Sequence, residues 1–407
     1  MSAMRPNEKR LGESPIGKLL FEFSLPAIVG MMVISMYSVV DRIFVGQVVG
    51  PLAISGISLT FPISLLMMAC GMLVGIGAGA SISIKLGQQK KDEAEEILGN
   101  AFMLLLIVAG LTTGLGLMFL GPLLSLFGAG EQTMAYGKQF ISIIMAFSIF
   151  QFIGFGLNGS ISASGSPKVS MMTMVINASL NIILLTIFIG VFRWGVRGSA
   201  VATVIAQGVS AIWVLVHLRG KNATLKLRFS QMRLRKRAVS MILGIGMGPF
   251  TLQLGSSLII LFLNRQLYLY GGDLAIGAMG AIFAVTMFLV MPIMGLSHGV
   301  QPIIGYNFGA NNNDRVWRAF KLAVIVGSIH TMVVAVIIQC IPHALIQVFS
   351  KDPELVRIGT QGIRIYLLMI PFSGFLSLGA NFFLAIGKPI QSMILNLSRQ
   401  VLILLPL

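Results

Sequence analysis

The chain has 407 residues, 56% of them hydrophobic and only 10% charged, with a mean hydropathy of +0.90; soluble domains carry roughly a quarter charged residues. This composition excludes a soluble globular enzyme and puts most of the chain in lipid. A formal charge of +16 would point to nucleic acid in a soluble protein, but basic loops set membrane topology, so no nucleic-acid partner is expected.

The first residues, MSAMRPNEKRLGESPIGK, are polar and lack an apolar core with a small-residue cleavage site, so no removable signal peptide is expected. The first helix is itself the insertion signal. Apolar runs long enough to cross a hydrocarbon core of about 30 Å predict eleven membrane helices. They cover 16–44, 52–84, 97–121, 134–162, 169–192, 195–218, 239–269, 274–304, 316–341, 359–386 and 390 to the end. With the N-terminus inside, 20 of the 29 Lys and Arg fall in loops on one side, eight of them in 219–237. That is the bias expected of cytoplasmic loops. Cys70 and Cys340 lie within apolar spans and read as packing residues, not a disulfide.

The chain repeats itself at an offset of 222. Leu52-Ala53-Ile54 returns as Leu274-Ala275-Ile276, Phe127 as Phe349, Gly137 as Gly359, Gly165 and Pro167 as Gly387 and Pro389, and Ser170-Met171 as Ser392-Met393. Six helices fit within the offset, so the two copies share one membrane orientation, a plan that puts a substrate route between the halves. The predicted division is an N-terminal six-helix bundle over 1–218, a basic cytoplasmic linker over 219–238 and a C-terminal bundle over 239–407. The second copy is expected to continue about 35 residues past Leu407, so its last helix reads as missing.

Asp41 and Glu22 are the only acidic residues inside predicted spans, and an ionisable group in lipid is a functional candidate by default. Glu22, near the inner end, can reach the interface and reads as structural. Asp41 stands near the outer end beside Arg42, either as a helix-end ion pair or as a proton or cation site. Pro26 removes a backbone hydrogen bond inside the same helix and is a candidate hinge. Gly71, Gly75 and Gly79, with Gly295 and Gly299 in the matching helix, form small-xxx-small ladders for close helix packing.

Gly295-Leu296-Ser297-His298-Gly299 spells a formal nucleophile motif, but that motif needs a strand-turn-helix elbow and here it lies in an apolar helix. No phosphate-binding loop occurs. His217, His298, His330 and His343 are scattered without ligand spacing. No catalytic residue, metal or cofactor is therefore expected. Methionine repacks around varied shapes, and Met31, Met32, Met36, Met287 and Met291, on opposite halves, would suit a cavity for lipophilic cations.

Taken together, SLPAIVGMMVISMYSVVDRIFVG at 24–46, GVQPIIGYNFGANNNDRVWRAF at 299–320 and the repeat resemble the multidrug and toxic compound extrusion (MATE) family, in its bacterial DinF/MepA-like branch. The likeness runs from about Pro15 to the end of the chain. It implies an all-α integral membrane protein of two six-helix bundles around a V-shaped cleft. It also implies secondary efflux of organic, often cationic drugs by alternating access, in a bacterial plasma or inner membrane. The family's coupling elements fall on Asp41, Asn181 and Thr203. Its second carboxylate, in Asn-x-x-Leu-Asp-Pro, is absent, because this chain reads Asn181-Ile182-Ile183-Leu184-Leu185-Thr186. The expected coupling ion is accordingly the proton rather than sodium, and the expected state is a monomer in lipid. A flippase for a lipid-linked or polar precursor, or a transport-inactive membrane scaffold, is the alternative.

Overall fold

The computed structural model describes residues 6–127, 130–221, 223–348 and 353–398, with some helical side chains, including those of Arg42 and 271–274, outside the description. In chain order the helices are α1 (Pro6–Glu13), α2 (Ile16–Phe44), α3 (Pro51–Ser58), α4 (Phe61–Gly87), α5 (Lys91–Met118), α6 (Leu120–Leu126), α7 (Glu131–Ala146), α8 (Ser148–Ala163), α9 (Pro167–Leu185) and α10 (Gly195–Arg219). The series continues with α11 (Lys236–Gly309), α12 (Asn313–Cys340), α13 (Pro342–Gln347), α14 (Pro353–Tyr366), α15 (Ile370–Ala385) and α16 (Pro389–Leu397). Among the described residues, eight helices are long and apolar enough to cross a bilayer, or up to ten if each of two bent pairs is one span. Residues 399–407, where the last span was expected to run on and stop, lie outside the described residues.

The repeat is written into the helix punctuation. The start of α5 at Lys91 matches that of α12 at Asn313, and Pro167 opening α9 matches Pro389 opening α16, each proline at a first-turn position where its missing N–H costs nothing. Gly165 (φ 89°) and Gly387 (φ 72°) take the left-handed conformation. They close the preceding helices with the same pair of bonds: Ser166 N–H to Ile161 and Gly165 N–H to Ser162, then Lys388 N–H to Phe383 and Gly387 N–H to Leu384. The bend of 58° between α7 and α8 is repeated as 50° between α14 and α15.

Two expected spans, 239–269 and 274–304, are joined without a break: helical bonding runs through all 74 residues of α11. A straight rod of that length would reach about 110 Å. Yet Ile242 and Gly246 lie against Gly77 and Leu73 of α4, while Tyr306 and Gly309 lie against Gly87 and Ile84 of the same helix. Leu73 and Gly87 are only about 20 Å apart along α4, so α11 folds back on itself and its two legs form the expected antiparallel pair. The loop expected at 270–273 is therefore helical.

Three further expectations change. The span expected to start at 97 begins at Lys91, with Asp92 and Glu93 in its first turn, where carboxylates favour the helix dipole. Glu95, read as a loop residue, is consequently a buried helical acid, 1% exposed. Cys340 is exposed at the end of α12 and not in the core, while Cys70 is half-buried; both are free thiols. The expected span 52–84 is divided into α3 and α4.

The halves touch where backbones approach closely. A side chain at Gly77 or Gly246 would meet the carbonyls of Ile242 and Leu73, and one at Gly295 or Gly299 would meet Ile28 and Ser24 of α2. The ladder Gly75 and Gly79 instead packs within the first half, on Gly156 and Gly159 of α8. These contacts gather toward the end of the molecule where 220–235 connects α10 to α11. That connection is strapped down: Glu95 accepts from Lys226 N–H at 3.1 Å and pairs with Arg228 at 3.0 Å. Glu96 pairs with Arg235 at 2.6 Å, and Asn100 accepts from Arg235 N–H at 2.7 Å. On the other half, Arg315 clamps the end of α1 to α11, donating to Ser14 O at 2.6 Å, Leu11 O at 3.3 Å and Asn307 Oδ1 at 2.9 Å.

Candidate functional site

At the end opposite the strapped connection, α2, α9 and α10 bring polar side chains together inside the first half. Asp41 is on the last turn of α2. Ser199, fully buried on the second turn of α10, donates to Asp41 Oδ1 at 2.7 Å. One turn along α10, Thr203 accepts from Asn181 Nδ2 of α9 at 3.1 Å. Positions i and i+4 share a helix face, so α10 serves as the common strut, holding α2 through Ser199 and α9 through Thr203. The stripe continues with Gln207 on α10 and Asn177 on α9. The carbonyl oxygens Asn177 Oδ1, Asn181 Oδ1 and Gln207 Oε1 are buried with no hydrogen-bond partner among the described residues. Buried acceptors are normally paired, so these oxygens are open to a donor or a cation.

One turn beyond Asn181 the character changes. Leu185 is fully buried in an apolar cluster with Val45, Ala53, Ile189, Val196 and Ala202. Two π-helical stretches, Val45–Val49 after α2 and Thr186–Val191 after α9, flank this point, and such turns recur at functional sites. The tight α9 to α10 connection is pinned by Trp194, whose ring stacks on Phe188 at 4.9 Å and whose backbone N–H donates to the Phe188 carbonyl at 2.9 Å. Gly198 lets α10 approach that same carbonyl, which a Cβ would meet at 3.1 Å.

A family pattern, MatE, matches residues 26–187 and again 247–407, most of the chain and once for each repeat. The chain belongs to the MatE family. Similar curated proteins are the multidrug export protein MepA of Staphylococcus haemolyticus, 28% identical over 362 residues, and that of Staphylococcus aureus strain MSSA476, 29% identical over 367 residues. Each alignment covers 89% of this chain and 80% of the relative. Among solved structures, the fold superposes on MATE in its straight conformation with a TM-score of 0.93 at 22% identity. It superposes on the outward-facing conformation of a multidrug resistance MATE family transporter of the MOP superfamily at 0.91 and 21%. Each comparison covers 98% of this chain and 89% of the other. The MatE chain thus has the expected fold, an all-α membrane protein of two parallel-repeat bundles around a cleft.

In this MatE protein, Asp41 of α2, Asn181 of α9 and Thr203 of α10 all belong to one polar stripe, joined through Ser199 and Thr203. Ser199 was missed by sequence reasoning, although its spacing four residues before Thr203 is a usable signal once α10 is known to face α2. The Arg42 side chain, the alternative partner for Asp41, lies outside the described residues. Glu22 is tied structurally, accepting from Arg10 at 2.6 Å. Pro26 sits within an unbroken α2. Of the five methionines, Met31 borders a cavity between the halves, Met36 and Met287 are exposed, and Met32 and Met291 are half-buried.

Proposed function

We propose that this MatE protein is a secondary multidrug efflux transporter that exports lipophilic, often cationic compounds in exchange for protons, working by alternating access as a monomer in a bacterial membrane. Support for the cargo comes from the multidrug export relatives. Support for the ion comes from one arrangement: a single carboxylate, Asp41, held by the Ser199 hydroxyl, with Leu185 buried in apolar packing where a second carboxylate would stand. One proton neutralises that charge completely. Sodium would need further oxygen ligands on the side that Leu185 fills, leaving it Asp41, Ser199, Thr203 and the open Asn181 oxygen. Protonation of Asp41 changes its bond to Ser199, and so the tie between α2 and α10. Pro26, whose ring denies the Glu22 carbonyl its helical donor, is the hinge through which α2 responds.

The two bundles, 1–218 and 239–407, are the moving units, with the 219–238 strap on the cytoplasmic side; the exposed Ser230 replaced by Cys should react with impermeant maleimide only after cell disruption. Drug efflux from proteoliposomes under imposed proton or sodium gradients tests the mechanism. The expected result is proton-driven efflux abolished by Asp41→Asn. Undiminished efflux in that variant, or strong sodium dependence of the wild type, overturns it.

A further inference from the structure

At the end of the first half opposite the strapped connection, α6, α7 and α10 leave an open groove of about 410 Å³, within the size range of small-molecule sites, roughly 300–1,000 Å³. Its lining is Leu120, Lys138, Gln139, Ser142, Ile143 and Arg197, none of which belongs to the Asp41 stripe or to the contact between the halves. Helix spacing explains what α7 supplies: 138 and 142, like 139 and 143, are one turn apart, so a single face presents a cation, an amide, a hydroxyl and an apolar side chain in order along the helix. Arg197 enters from the first turn of α10. The Lys138 ammonium lies over Gly121 of α6, 3.8 Å from where a Cβ would stand.

The charge in this groove has one sign. Lys138 and Arg197 are both exposed, and no Asp or Glu is among the described lining residues. Arg197 also stands where the dipole of α10 disfavours a cation and favours an anion, at a helix start with no side-chain cap over its free N–H groups. A negative group between the two cations relieves their repulsion and suits the helix end. Depth identifies where that group comes from. The groove stands at the ends of apolar spans: Leu120 follows the span Lys91–Met118, and Arg197 is the third residue of the span Gly195–Arg219. Phe192 and Trp194, both exposed beside it, are placed as membrane-interface aromatics are. Next to it the surface is apolar and exposed at Phe119, and again at Phe147 one turn beyond Ile143. A soluble anion would gain the cations alone, whereas an anion carrying acyl chains also covers this apolar surface.

We propose that this groove holds the headgroup of an anionic phospholipid of the phosphatidylglycerol type, from the leaflet opposite the strapped connection, the outer one in the topology proposed above. The phosphodiester lies between the Lys138 ammonium and the Arg197 guanidinium, whose planar fork meets two of its oxygens. The glycerol hydroxyls bond to Gln139 and Ser142, and the acyl chains pass Leu120 and Ile143. The site rests on neither the transport reading nor the coupling ion.

The test is photo-cross-linking of the purified full chain in phosphatidylcholine nanodiscs doped with a phosphatidylglycerol that carries a diazirine near the carbonyl end of one acyl chain, with attachment mapped by mass spectrometry. Cross-links are expected on peptides containing Leu120 or Ile143. Lys138→Gln and Arg197→Gln should each cut labelling of these peptides roughly fivefold, and the double variant roughly thirtyfold; Lys138→Arg, which keeps the charge, should label as wild type does. Removing the same charge from the strap, by Arg233→Gln with Arg237→Gln, should leave labelling of these peptides unchanged. Equal labelling by a phosphatidylcholine probe overturns the proposal, as does an equal loss in the strap variant, which would make bulk charge the cause. Inorganic phosphate displacing the probe as effectively as unlabelled phosphatidylglycerol overturns it too, leaving a site for soluble anions.

Discussion

The substitution Leu185→Asp asks whether the space beside Asn181 is as dry as its packing indicates. Leu185 is fully buried among Val45, Ala53, Ile189, Val196 and Ala202, so an aspartate there gains no water. On the membrane-insertion scale a central Leu is favourable by about 0.3–0.6 kcal/mol and an Asp unfavourable by about 2.5–3.5, so the exchange costs about 3–4 kcal/mol. The new carboxylate would join Asp41 and the open Asn181 oxygen on one side of the stripe, completing an oxygen-rich site. Sodium at a hundred times its dissociation constant would then return about 2.7 kcal/mol. The expected outcome is a variant that unfolds roughly 5 °C or more below wild type in choline chloride and recovers most of that loss in sodium chloride, while wild type responds to neither salt. Differential scanning fluorimetry of purified protein in the two salts measures it. A variant as stable as wild type without sodium refutes the dry-cluster argument, and a wild type stabilised equally by sodium refutes the single-carboxylate reading.

Ser199→Ala removes a hydrogen bond to a carboxylate, an interaction of about 1.5–3 kcal/mol, and proton-driven efflux should fall roughly tenfold or more, with Ser199→Thr retaining activity. Gly77→Leu drives a side chain into the Ile242 backbone, so the halves should part at the strapped end; faster alkylation of a cysteine placed at Ser83, on the cavity wall, reports the opening. Arg315→Lys should not replace the clamp, because one ammonium cannot reproduce a fork that meets Ser14, Leu11 and Asn307; hydrogen exchange at residues 11–15 is expected to rise as much as in Arg315→Ala. Glu95→Gln weakens the strap by about 1–2 kcal/mol, a modest figure because Arg228 is 54% exposed and its charge is screened. Trypsin cleavage at Arg233 should accelerate roughly tenfold.

Much of this molecule is determined by local chemistry and is legible in the sequence by itself. Twenty apolar residues predict a span wherever they occur. A glycine able to take positive φ, followed by a proline opening the next helix, marks a boundary at Gly165 and Pro167 and again at Gly387 and Pro389. That is why an offset of 222 found in letters returns as matched helix starts and matched caps. Asp41 stood out for the same reason, being an acid in an apolar run. What only the tertiary structure decided depends on which helix faces meet across long stretches of chain. Ser199 is one small residue among many on α10 until α2, 158 residues away, places a carboxylate 2.7 Å from its hydroxyl. Glu95 looks like a loop acid until the connection after α10 folds over it. The two legs of α11 were legible as separate spans, but that helical bonding continues through the turn between them was not. Gln301 and Asn158 are ordinary polar residues until the two halves enclose them around a cavity and leave a donor and an acceptor unpaired. Burial and pairing are properties of surfaces brought together, and the order of residues along one helix does not contain them.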